Sequence, residues 1–123
     1  MIKKVICIDI WSSNYKKLAE WYITYLNLVP VQELNLPDDT GIVFDIGGTL
    51  LYIGQHSEVK GKSKDSNRIM VEFEIDSIFD VCKNLESRGV EFVRKPEKAS
   101  TNDMYVATIY DLDKNIIQLV QPI

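Results

Sequence analysis

The chain has 123 residues, 46% of them apolar and 26% charged, which is the balance of one compact water-facing unit or of two very small ones. A net charge of −4 argues against nucleic acid and anionic membrane surfaces, both of which need a basic face. No apolar run reaches the length of a membrane span.

The N-terminus has two lysines and an apolar run that Asp9 interrupts. No small-residue cleavage site follows, so a secretory leader is not expected and a cytoplasmic location is. Cys7 and Cys82 fall in different element types without paired spacing, which reads as two free thiols. Lys3 to Trp11 alternates, with Ile6, Ile8 and Ile10 on one face and Cys7, Asp9 and Trp11 on the other, as in a half-buried strand. Ser12, Ser13 and Asn14 offer helix caps. Leu18, Trp21, Tyr22, Tyr25 and Leu26 follow at helical spacing, and Asn27 suits a left-handed C-terminal cap. Val29 to Leu34 reads as a strand, placed at a sheet edge by Pro30. Leu36 to Gly41 is a turn. Ile42 to Ile46 and Leu50 to Ile53 are strands joined by Gly47-Gly48.

His56 to Asn67 is polar and aperiodic and reads as a linker. The pattern then repeats. Arg68 to Ile75 alternates, with Met70, Glu72 and Glu74 on one face. Asp76 or Ser77 caps a helix carrying Ile78, Val81, Cys82 and Leu85, which Gly89 ends. Val90 to Val93 is a strand, Pro96 to Asp103 a loop, and Met104 to Tyr110 and Asn115 to Val120 are strands. Strand, helix and three strands occur twice, so the fold class is α+β with two βαβββ modules: residues 1–55, a linker 56–67, and residues 68–123. Gln118 is a polar residue inside an apolar strand, and Tyr52 holds the matching place in the first module.

These motifs resemble the glyoxalase, bleomycin-resistance and extradiol-dioxygenase superfamily, the vicinal oxygen chelate proteins. Asn14 to Tyr22 is similar to the family's helix start, Tyr25-Leu26-Asn27-Leu28 and Leu85 to Val90 to its helix ends. Asp111-Leu112-Asp113-Lys114-Asn115 is similar to its Asp-Pro-Asp-Gly-Asn turn. The resemblance implies a curved mixed sheet and one helix per module, and a cleft that two modules close together. It also implies metal ligands on the first and last strands of each module, which fall here at Cys7, Tyr52, Met70 and Gln118. The family's ligands are His and Glu. Of the four side chains here, only a cysteine thiolate suits a Zn, Ni, Fe or Mn ion, so no metal and no cofactor are expected.

The strand faces opposite the isoleucines would line the cleft with Cys7, Asp9, Trp11, Tyr52, Met70, Glu72 and Gln118, and no lysine or arginine is read onto them. Acids and aromatic rings together suit a cationic or aromatic small molecule. The expected function is metal-free binding of such a molecule, as in the sequestration that the bleomycin-resistance branch implies. The alternative is a lyase- or dioxygenase-type enzyme with atypical ligands, or a metal-free catalyst using Glu72. A homodimer is expected because each half is too short to bury a full core.

Overall fold

A computed structural model describes residues 1–123. The element order is β1 (Cys7–Ser12), α1 (Tyr15–Leu26), β2 (Pro30–Leu36), β3 (Asp39–Ile46), β4 (Thr49–Gln55), β5 (Met70–Glu74), α2 (Ile78–Ser87), β6 (Phe92–Lys98), β7 (Met104–Tyr110) and β8 (Ile116–Pro122). It is the doubled βαβββ arrangement. The chain divides into two compact units, Met1–Gly61 and Lys62–Ile123. The polar segment 56–67 is therefore split between them. Ser63 N donates to Asp113 O within the second unit.

In the first module the strand order is β1-β4-β3-β2, with β1 parallel to β4 and the other pairs antiparallel. Alternation decides its two faces. Leu51 and Ile53 of β4 and Phe44 of β3 are buried, as are Leu18, Ala19 and Tyr22 of α1, which packs on those two strands. Tyr52 points the other way. Asn14 caps α1 by accepting from Lys17 N at 3.3 Å, and Asn27 ends it in the left-handed region at φ 56°.

The second module repeats this with the order β5-β8-β7-β6 and a parallel β5–β8 pair. Ile117 and Leu119 of β8, Ala107 and Ile109 of β7, and Ile78, Cys82 and Leu85 of α2 form its core. Gln118 lies on the opposite face. The turn before β8 is built by Asp111, whose carboxylate accepts from Asp113 N, Asn115 N and Asn115 Nδ2 at 2.8, 3.0 and 2.9 Å. Lys114 stands where the family motif has glycine and takes φ 64°.

Four expectations need correction. The first strand begins at Cys7 rather than Lys3, and Ile6 is exposed. The fifth is shorter than expected, Met70–Glu74. Residues 96–98 continue β6 instead of forming a loop. Pro96 is tolerated because β6 is an edge strand, where a missing N–H leaves no neighbour unpaired. Finally, Ser77 gives α2 no side-chain cap. Gln121 on β8 does so instead, accepting from Ile78 N at 2.8 Å.

Candidate functional site

The register fixes which side chains meet on the face of the first sheet away from α1. Cys7, Asp9 and Trp11 on β1 stand beside Leu50, Tyr52 and Gly54 on β4. Tyr52 in turn faces Val43, and Gly54 faces Gly41, on β3. This face floors a hollow of about 360 Å³. Cys7, Asp9, Trp11 and Tyr52 line it together with apolar Leu34, Val43 and Leu50, and Asp38 of the β2–β3 turn and Asp39 at the start of β3 complete the wall.

The rings are held in defined positions. Trp11 meets Tyr52 edge-on, with centroids 5.6 Å apart and planes at 82°. Its other ring neighbour is His56, at 5.3 Å and 68°. Tyr52 is buried, and its hydroxyl donates to Asp39 Oδ1. Room for this arrangement comes from the cross-strand pair Gly41 and Gly54. A Cβ at Gly41 would lie 2.6 Å from Ile53 O and 2.6 Å from Tyr52 Cζ. One at Gly54 would lie 2.6 Å from Tyr52 Cε2 and 2.7 Å from Trp11 Cζ3.

Electrostatics in the hollow favour protonated neutral groups beside carboxylates. The Cys7 thiol donates to Asp9 Oδ1 at 3.2 Å. Burial, then this hydrogen bond and the charge of Asp9, push the thiol up to about 11. The Tyr52 phenol is pushed far above its ordinary range, first by burial and then by the bond to Asp39. Cys82 is pushed up to about 11 by burial alone. Alkylation by iodoacetamide should therefore be slow near neutral pH, because the thiolate is the reacting species. The rate at Cys7 in a Cys82→Ser chain should keep rising about tenfold per pH unit through pH 10. Levelling near pH 9, as for an ordinary thiol, would contradict the assigned environment of Cys7.

Of the other candidates, Glu72 and Gln118 are register partners, and Gln118 Nε2 donates to Glu72 Oε1 at 2.7 Å. Met70 is exposed at the start of β5. Gln118 also stands opposite Thr108, which stands opposite Arg94. The expectation of no cation on these faces thus fails in the second module, where the guanidinium joins the row and its Nε donates to Glu97 Oε1 at 2.5 Å. Two register shifts in β6 flank Arg94, so simple alternation along the sequence misplaces it. The first module's hollow has no such cation among its lining residues. Sequence reasoning also missed Asp38, Asp39 and His56. The first two read only as turn residues and the last as linker.

The positions that the resemblance assigns to metal ligands carry a thiol, a phenol, a thioether and a carboxamide. No set of three or more His, Cys, Asp or Glu side chains converges as a metal site. This donor set does not fit a Zn, Ni, Fe or Mn ion.

The sequence profile of the Glyoxalase/Bleomycin resistance protein/Dioxygenase superfamily matches residues 4–119. No curated protein matches the chain significantly in sequence. Among solved structures, a member of that superfamily from Sphaerobacter thermophilus is similar at 20% identity and a TM-score of 0.79, with 98% of each chain covered. A glyoxalase I mutant from Zea mays is similar at 14% identity and a TM-score of 0.80, covering 97% of this chain and 47% of the maize chain. A virulence protein from Salmonella typhimurium is similar at 17% identity and 0.73, covering 100% and 99%. At these identities the likeness shows the fold.

Proposed function

We propose, from the premise that the chain belongs to the glyoxalase/bleomycin resistance protein/dioxygenase superfamily, that it binds a small cationic or aromatic molecule in the hollow of its first module without the help of a metal ion. The observation that carries this reading is the composition of the wall. Three carboxylates, Asp9, Asp38 and Asp39, share it with the rings of Trp11 and Tyr52, and no lysine or arginine lines it. Carboxylates in a concave site attract cations more strongly than on open surface. Each ring face adds about 0.5–2 kcal/mol of cation–π attraction. An anion meets repulsion and finds no cationic partner there. Sequestration requires no reacting group, which agrees with a thiol and a phenol that both keep their protons.

A thermal-shift comparison tests this with one ring system in two charge states, benzyltrimethylammonium against benzoate. At about a hundred times its dissociation constant, the cation should stabilise the fold by about 2.7 kcal/mol. The anion should leave the melting point unchanged. A shift with benzoate and none with the cation would overturn the reading.

A further inference from the structure

A second hollow of about 360 Å³ adjoins the first. Both share Asp38 and Asp39 in their walls. The second is otherwise lined by Pro37, Thr40, Gln55, His56 and Ser57. The two are also joined along a line of rings, since Trp11 of the first touches Tyr52 on one side and His56 of the second on the other.

Their chemistry differs. Four side chains of the second hollow offer acceptors. Asp38 and Asp39 present carboxylates. Gln55 commits one N–H of its amide to Ser13 O at 3.0 Å and offers its carbonyl oxygen as an acceptor. Thr40 commits its hydroxyl proton to Leu36 O at 3.0 Å, which leaves only lone pairs. His56 Nδ1 accepts from Glu58 N at 3.0 Å, so in the neutral ring the proton sits on Nε2. The first hollow, by contrast, is ringed and apolar between its carboxylates.

We propose that the two hollows form one bipartite site for an aromatic molecule with a tail ending in a cation rich in N–H donors, a guanidinium or a primary ammonium. The ring lies against Trp11 and Tyr52. The tail passes the Asp38–Asp39 turn and donates hydrogen bonds in the second hollow. This rests on the cation-binding reading of the first hollow and narrows it. Cation–π attraction alone accepts a quaternary ammonium equally well, because it needs charge and not N–H groups. A wall that holds two carboxylates beside further acceptors does not.

Calorimetric titration of the whole chain with 3-phenylpropylguanidinium and 3-phenylpropyltrimethylammonium separates the two. The probes share ring, tail and charge and differ in N–H donors. The guanidinium should bind about tenfold or more tightly, the worth of one hydrogen bond to a charged group. Asp38→Asn, in an exposed turn, should bring the two affinities to within about threefold. Equal binding of both probes to the unaltered chain would overturn the bipartite site and leave the cation-binding reading standing. A preference that survives both in Asp38→Asn and in Gln55→Leu, a residue that lines the second hollow alone, would overturn the second hollow as its source. Binding of neither probe would overturn both readings.

Discussion

Gly41→Ala is expected to destabilise the first module by about 1–3 kcal/mol, the usual cost of forcing an extra carbon into packed space. The new methyl would stand 2.6 Å from the carbonyl oxygen of Ile53, which belongs to the neighbouring strand. That oxygen cannot move without disturbing the β3–β4 register. The same methyl would press on the ring and hydroxyl of Tyr52, and so on the bond to Asp39. Gly54→Ala makes an instructive contrast. Its methyl would meet the edges of the Tyr52 and Trp11 rings and no backbone atom closer than 3 Å. Rings can tilt where backbone cannot, so Gly54→Ala should cost less stability while still closing the hollow. Urea denaturation followed by tryptophan fluorescence measures both. The two tryptophans, Trp11 and Trp21, lie in the first module, so the signal reports that module. A larger loss for Gly54→Ala than for Gly41→Ala would mean that the rings, and not the strand backbone, are the rigid partners.

The doubled architecture was legible because it rests on local signals. Alternation at Leu50 to Ile53 and at Ile116 to Leu119 marks strands whose odd-numbered residues are buried. Asn14 and Asn27 bound α1 as their chemistry suggests. The like placing of Tyr52 and Gln118 also follows from the repeat, whereas their partners Asp9 and Glu72 are set by the parallel register of the last strand of each module on its first. What stayed hidden depends on distance or on broken period. The cap of α2 comes from Gln121, whose carbonyl reaches Ile78 from 43 residues away. Arg94 enters the polar row of the second sheet because β6 slips its register twice. Asp38 belongs to the β2–β3 turn and Asp39 opens β3, and side chains at such a corner acquire a direction only when the strands on either side are placed. His56 leaves β4 by a single residue, yet its ring is fixed on Trp11 across the sheet. The seven candidate residues lie on strand faces turned away from the helices. Four of them share the first module's hollow; the missing part of its wall came from the turn.

Trp11→Ala is expected to weaken binding of a cationic aromatic probe by about 3- to 30-fold, from a lost ring contact of about 0.5–2 kcal/mol. Trp11 is 37% exposed, so its truncation should cost the fold little beside its cost to the site. The loss should extend to a neutral probe of the same shape, because a ring face attracts apolar and charged partners alike. Asp9→Asn should behave differently. It keeps the shape of the wall and removes one charge, so the neutral probe should bind as before while the cation weakens. Salt separates the two contributions again. The Debye length is about 10 Å at 0.1 M and about 3 Å at 1 M, so added salt should lower affinity for the cation and spare the neutral probe. In Asp9→Asn the salt dependence should be shallower than in the unaltered chain. Both variants leave the Tyr52–Asp39 bond and the glycine pair in place, so the hollow itself persists in each. If Asp9→Asn leaves the ratio of cation to neutral affinity unchanged, the charge of Asp9 plays no part in recognition. Selectivity would then have to come from the carboxylates of the β2–β3 turn.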